Sequence, residues 1–328
     1  MKPALISGMQ PTGRLHIGNY LGALKHMVDL QNSDKYRCYF FLANLHALTE
    51  SFTPEERRSQ LLNLTADFLA AGLDPKKSII FLQSESPAHT QLTWVLNTIT
   101  PMGELERMTQ FKDKAGRQSA NINVGLFDYP VLMVADIIFC DAEVVPVGDD
   151  QSQHLELTRT LVRKFNEKFG KTFVEPKILL TKTSRVMSLK DPSKKMSKSQ
   201  PEGCLFLDDS PEVIKTKIAR AVTDSGSEIA YDPEKKPGLA NLLEIYGALT
   251  HMEPHLVAKE FSGQQYSALK KRLTEVVADY FARFRADKKT FLAKPAGLIK
   301  ILNAGSEQAA KVAEKKMKEV KKKIGIAI

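Results

Sequence analysis

The chain has 328 residues, 43% apolar and 26% charged, the proportions of an ordinary globular protein, which excludes collagen-like, disordered and coiled-coil classes. That length accommodates one large α/β unit and a smaller one, since domains run to ~100–200 residues. Lysine plus arginine exceed aspartate plus glutamate by 47 to 38, a net +9 that suits a polyanionic partner through counterion release but also serves solubility alone.

Neither the first residues nor any later stretch carries the continuous apolar run of a signal peptide or a membrane helix, so a cytoplasmic protein without membrane contact is expected. Residues 4–7 are a short apolar run ending in a Gly/Pro/Thr cluster. Ile17, Tyr20, Leu21, Leu24 and Met27 then follow helical spacing, which reads as strand, turn and helix. A second strand is expected at 37–43 and an amphipathic helix from Pro54 to near Gly72. A third strand follows at 78–82, then a helix through Leu92, Val95, Leu96 and Ile99 on whose apolar face Trp94 is read as packing. Such alternation predicts a Rossmann-like parallel sheet with helices on both faces, connected by right-handed crossovers.

Beyond Pro201 strand signals fade, and helices are expected over 212–222, 239–250, 267–284 and 306–323. Four regions follow: a Rossmann-like domain at 1–190, a mobile loop at 191–205, a helical domain at 206–292, and C-terminal helices at 293–328 packing back on the first domain. In the last helix Ala310, Val312, Ala313, Met317 and Val320 form an apolar stripe. Its lysines are read as a solvated face, with a nucleic-acid footprint as the competing reading. Cys38, Cys140 and Cys204 are odd in number and lack metal-ligand spacing, so reduced thiols are expected.

Two segments carry chemistry. The first, Gln10 to Asn19 (QPTGRLHIGN), joins the first strand to the first helix, where a parallel sheet binds ligands and a helix N-terminus offers free N–H groups to anions. Gly13 and Gly18 permit close approach, and His16 and Asn19 are expected as donors on one helical face. The second, Lys195, Met196, Ser197, Lys198 and Ser199, lies in a polar loop between Lys194 and Pro201. Its lysines and hydroxyls can fold over a triphosphate, whereas an isolated basic loop of this kind would be merely solvated. Asp136 interrupts an apolar run at 131–140, and an unpaired carboxylate there would cost several kcal/mol, so it requires a partner, either internal or a ligand.

Together the two segments resemble the HIGH and KMSKS signatures of class I aminoacyl-tRNA synthetases, with Asn19 in place of the last histidine as in the tryptophanyl branch. The stretches GELERMTQFK (103–112), YPVLMVADI (129–137), VPVGDDQ (145–151) and AVTDS (221–225) extend the resemblance over nearly the whole chain, more weakly after about Ser262. It implies ATP-dependent activation of tryptophan and its transfer to tRNA(Trp), with Mg²⁺, by a cytoplasmic homodimer. By the same resemblance Lys195, Lys198 and Lys114 are catalytic cations on the phosphates. Gln10, Pro11, Thr12, Gly18, Asn19, Gly148, Asp149, Asp150, Val186, Met196, Ser197 and Ser199 line the ATP site, Val186 and Met196 through their backbones against adenine, and no residue is assigned as a protein metal ligand.

For the amino acid, the resemblance gives Asp136 the indole N–H and places Ile6, Gly8, Met133 and Val147 around the ring. Tyr129, Gln151, Gln10 and His46 hold the ammonium and carboxylate. Ile6 stands where tyrosyl relatives supply a tyrosine to the phenol, which favours tryptophan. Asn44 and Leu45 stand where many relatives carry Asp-Gln, so a substrate contact and a packed core histidine both stay open for His46. Competing readings are an RNA-binding relative without activity and a small nucleotidyltransferase, which would not need the helical half.

Overall fold

In the computed structural model the described residues are 2–109, 123–148, 151–180 and 185–327. Five parallel strands, β1 (Ala4–Met9), β2 (Arg37–Leu42), β3 (Ser78–Leu82), β4 (Val144–Val147) and β5 (Lys177–Leu180), lie in the order β3-β2-β1-β4-β5. The register pairs Ile6 with Tyr39 and Leu5 with Val144, which makes the gap between β1 and β4 the point where the strand order reverses. This is the Rossmann-like sheet expected from the alternating pattern, and its carboxyl ends define a crevice for ligands.

Alternation along the strands assigns the two faces. Leu5, Cys38, Phe40, Leu42 and Ile80 point into one apolar cluster, and Ala4, Ile6, Tyr39, Phe41 and Phe81 into another. The first face is covered by α1 (Lys25–Asn32) and α2 (Pro54–Ala70). The second is covered by α3 (Pro87–Asn97), the short α4 (Met102–Glu106), α5 (Val124–Ile138) and α6 (Ser152–Phe169). Thr53 caps α2 through a reciprocal pair with Glu56 and Pro54 opens it, the combination that satisfies free N–H groups at a helix start. The first helical segment is broken up: one turn, Ile17–Asn19, passes into a π-helical stretch, Tyr20–Leu24, before α1.

The helical half comprises α7 (Pro211–Ala219), α8 (Pro237–Thr250), α9 (Pro254–Glu260), α10 (Tyr266–Tyr280), α11 (Ala282–Leu292) and α12 (Pro295–Lys323). The single helix expected over 267–284 is in fact α10 and α11, parted at Phe281, whose ring packs on Tyr20 and Phe284. Tertiary packing of one aromatic overrides continuous helical periodicity there. One apolar cluster runs from Leu5 through Leu205 and Leu243 to Phe284, so α7 to α11 share a core with the sheet.

The last helix crosses the β3 edge. A side chain on Gly305 would lie 1.9 Å from the Ile80 carbonyl oxygen, so only glycine permits this approach. Ser306 Oγ accepts the Leu82 N–H at 3.1 Å, satisfying an edge-strand donor. The buried stripe of α12 is Ala309, Ala313, Met317 and Val320, with Val312 at its margin. Lys316 corrects the solvated-face reading in part, because it is buried and paired with Asp141 at 2.9 Å. Lys311, Lys315, Lys318, Lys322 and Lys323 remain exposed. Trp94 is a second correction: α3 buries Ala88, His89, Leu92, Thr93, Val95 and Leu96, and Trp94 stands 73% exposed on the opposite side. The three cysteines are free and buried.

Candidate active site

The turn after β1 is built around Gly13, whose φ of +100° lies where residues with a side chain are strained. His16 follows in extended conformation as the N-cap of the first helical turn. Its Nδ1 accepts the Asn19 N–H at 3.3 Å while Asn19 Oδ1 accepts the His16 N–H at 3.2 Å. The expectation of two donors side by side is thereby modified, because each residue also caps the other. Burial, then the charges of Lys198 and Lys195, push the His16 pKa down to about 4. The ring is neutral at pH 7, and with Nδ1 accepting, the proton sits on Nε2.

The second loop reaches this turn through backbone pairing. Ile17 N–H donates to Leu205 O at 2.8 Å and Leu207 N–H to Leu15 O at 3.0 Å, fastening the chain just after the loop alongside the first motif. Cys204 Sγ donates to the Ser197 carbonyl, which curls the loop back. Lys198 then extends its Nζ to Thr12 Oγ1 and the Gly13 carbonyl, both at 3.4 Å. Burial lowers its pKa, with Asp67 and Glu50 opposing. An ammonium poorly hydrated by water and held by weak neutral acceptors is well placed to exchange them for phosphate oxygens.

Lys195, Ser197 and Ser199 are exposed and Met196 is buried; the two hydroxyls bond each other at 3.0 Å. Met196 N–H donates to Val186 O at 3.1 Å, which pairs the two backbones beside the loop. Gln10, Thr12, Gly18 and Asn19 are half-buried around the turn, and Gly148 follows β4. Lys114, Asp149 and Asp150 lie outside the described residues.

Arg57 of α2, which sequence reading passed over, clips two parts of the site together. It donates to the Pro11 carbonyl and to the Ala47 carbonyl, each at 2.7 Å. Nothing in a helical Arg-Arg pair signals this, since both acceptors are main-chain atoms distant in sequence.

The amino-acid side lies on the α5 face. Ile6 is buried at the sheet, and the Phe41 ring occupies the space where a side chain on Gly8 would stand. Met133 is half-buried, and Val147 ends β4. Tyr129 bonds His154 Nε2 through its hydroxyl at 3.0 Å, and burial pushes its pKa up to about 12. Gln151 opens α6 with its N–H on the Gly148 carbonyl at 3.0 Å.

Asp136 is fully buried and internally partnered. His46 Nε2 lies 2.6 Å from Oδ2, His89 Nδ1 2.7 Å from Oδ1, and Gln83 Nε2 donates to both oxygens at 2.8 Å. Burial works against ionisation, yet the charges and hydrogen bonds of His46 and His89 bring the carboxyl down to about 2. The internal partner left open by the sequence is thus three partners, and His46 meets this carboxylate instead of standing alone. Gln83 and His89 were missed, because neither sits in a signature and their meeting point is 53 and 47 residues away along the chain.

Comparison with known proteins places this geometry. The family described as tRNA synthetases class I (W and Y) matches residues 1–282. A protein of Caldanaerobacter subterraneus named tryptophan–tRNA ligase is 48% identical, with 99% of this chain and 98% of that one covered. The chain belongs to the tryptophanyl-tRNA synthetase family. A Tropheryma whipplei member, also named tryptophan–tRNA ligase, is 47% identical over 99% of this chain and 97% of its own. Among solved members, the tryptophanyl-tRNA synthetase of Mycoplasma pneumoniae superposes with a TM-score of 0.89 at 34% identity, covering 100% and 99% of the two chains. That of Campylobacter jejuni, complexed with ADP and tryptophan, gives 0.84 at 36% identity over 98% and 99%. Both synthetases span the helical half as well as the sheet, which sets aside the small nucleotidyltransferase reading.

Proposed function

We propose that the protein ligates L-tryptophan to tRNA(Trp) at the expense of ATP, through a tryptophanyl-adenylate, in the cytoplasm. The observation that carries this reading is Lys198 Nζ reaching Thr12 and Gly13 at the carboxyl end of β1, which unites both signatures at the crevice of the sheet. The tryptophan carboxylate attacks the α-phosphorus of ATP and pyrophosphate leaves; a terminal ribose hydroxyl of the tRNA then attacks the adenylate and AMP leaves. No protein nucleophile is needed, and the chain acts by positioning and charge neutralisation.

Lys195, Lys198 and Lys114 take the phosphates. Gln10, Pro11, Thr12, Gly18, Asn19, Asp149 and Ser197 to Ser199 shape the nucleotide site, with Gly148 and Asp150 at the ribose and Val186 and Met196 at adenine. Mg²⁺ would arrive on the triphosphate as part of the substrate. Ile6, Gly8, Met133 and Val147 pack the indole, and Tyr129, Gln151, Gln10 and His46 hold the ammonium and carboxylate of the amino acid. The indole N–H goes to Asp136 Oδ2, where it takes the place of His46.

ATP–pyrophosphate exchange with each of the twenty amino acids tests this. Exchange with tryptophan alone is expected, and exchange with tyrosine but not tryptophan would overturn the specificity. Asp136→Ala should raise the tryptophan KM by roughly a hundredfold or more, the scale of losing a charged acceptor in a buried site.

The homodimer is supported by large apolar side chains left in solvent. Trp94 on α3, Met102 on α4 and Val124 at the start of α5 are 73%, 63% and 80% exposed, and α3 and α4 both pack against α5; exposed apolar surface of this kind suits a partner. Among the described residues no helix is long and apolar enough to cross a membrane. A second copy of this chain is the occupant. Trp94→Glu should weaken dimerisation by about 2 kcal/mol or more, roughly thirtyfold, in sedimentation equilibrium; an unaltered dimer would place the interface elsewhere.

A further inference from the structure

Three donors hold Asp136, and they are not equivalent. His46 sits in the turn after β2, edge-on to Tyr129 with ring centroids 6.0 Å apart, on the side of the amino-acid site. Gln83 at the end of β3 and His89 in the first turn of α3 have no exposure. They fill both directions on Oδ1 and one on Oδ2, so a donor arriving from the site meets a single acceptor direction, the one His46 occupies.

The orientation of both residues is determined. Gln83 Oε1 accepts the Leu45 N–H at 3.0 Å, which turns its amide N–H₂ toward Asp136 and ties the His46 turn to the same carboxylate. His89 packs against Phe139 and Phe81 with centroids 4.5 Å and 6.2 Å away. Its Nε2 is buried with no hydrogen-bond partner among the described residues, so the ring donates through Nδ1. An apolar side chain would fill that space between two phenylalanines without leaving a buried polar atom unmet. Packing alone therefore does not account for a histidine at 89.

We propose that Gln83 and His89 are positioning residues for substrate specificity: they hold the Asp136 carboxylate as an acceptor aimed into the site, so that an amino acid whose ring displaces His46 without bringing an N–H leaves it one donor short. This rests on the reading that Asp136 receives the indole N–H. A rigid acceptor rejects an analogue lacking the donor far better than an apolar slot can. The titratable groups facing Asp136 are His46 from the turn after β2 and His89 from α3; two helical turns earlier on the same face of α5, Tyr129 lies edge-on to His46 and bonds His154.

The test compares tryptophan with β-(3-benzothienyl)alanine, in which sulfur replaces the ring N–H, in ATP–pyrophosphate exchange. The wild-type enzyme should prefer tryptophan in kcat/KM. Gln83→Met and His89→Phe should lose that preference by roughly tenfold or more, mainly through a higher tryptophan KM with kcat little changed. His89→Asn, which keeps a donor, should recover part of the preference. Thermal melts separate unfolding from loss of specificity, and Gln83→Met stands in should His89→Phe not fold. Unchanged preference in folded Gln83→Met overturns the assignment, as does an equal loss for both substrates. A wild-type enzyme that activates no tryptophan overturns the underlying activity instead.

Discussion

Lys198→Ala lowers the rate of adenylate formation by two or more orders of magnitude while the tryptophan KM stays within a few-fold. The side chain is half-buried between the loop and the turn after β1, with its Nζ against two neutral oxygens. Burial has already reduced its hydration and lowered its pKa, so its charge is spent on whatever anion enters. Loss of one such group from a developing phosphoryl charge costs about 3 kcal/mol, and that corresponds to more than a hundredfold in rate. Lys195→Ala has the smaller effect, roughly tenfold, because Lys195 is exposed and its field is screened by water. Single-turnover measurement of adenylate formation decides this; an unaltered rate in Lys198→Ala would remove the residue from the mechanism.

Lys288→Met lowers folding stability by roughly 3–5 kcal/mol near pH 8, the scale of breaking a buried pair from one side. Lys288 of α11 bridges Asp67 of α2 at 2.7 Å and Asp208 at 2.8 Å, and Asp208 is in turn gripped by Arg14 of the first signature. Arg14 also reaches Asp209 at 2.8 Å, where Lys217 of α7 joins at 2.6 Å. This chain of charges docks the helical half behind both signatures. Asp208 has two cations and its carboxyl is lowered, while Asp67 has one and is deeper, so burial pushes it up to about 6.

A carboxyl raised in the folded state contributes stability at low pH and loses it as pH climbs from its unfolded value of 3.8 to about 6. Without Lys288 its pKa rises further, so acidification to pH 5 neutralises Asp67 and relieves most of the variant's deficit. Asp67→Leu with Lys288→Met should recover stability at pH 8, since replacing both partners leaves no orphaned charge. Urea denaturation at pH 5 and 8 measures it. A deficit independent of pH, or a double variant no better than the single, would show that the pair does not carry the docking.

Much of the fold was legible because periodicity is local. The strands at 37–42 and 78–82 and the helix from Pro54 appear within a residue or two of expectation, since side-chain alternation and a capping box are written into neighbouring positions. The errors share a cause. Trp94 was assigned to the buried face of an apolar helix, yet the packing of that helix leaves it on the exposed side. The break at Phe281 depends on Tyr20, far away in the chain. Lys316 looked like any other lysine of its helix until Asp141 stood beside it.

By itself the sequence determined a parallel sheet with a glycine turn after its first strand, a polar lysine loop, and a buried carboxylate in need of a partner. Only the tertiary structure decided which partners meet. Lys198 reaches Thr12 across 186 residues, His46 reaches Asp136 across 90, and Lys288 reaches Asp208 across 80. Contacts of that separation leave no period in a sequence; they exist because the parallel sheet brings the ends of its strands to one crevice and a shared apolar core draws the helical half against it.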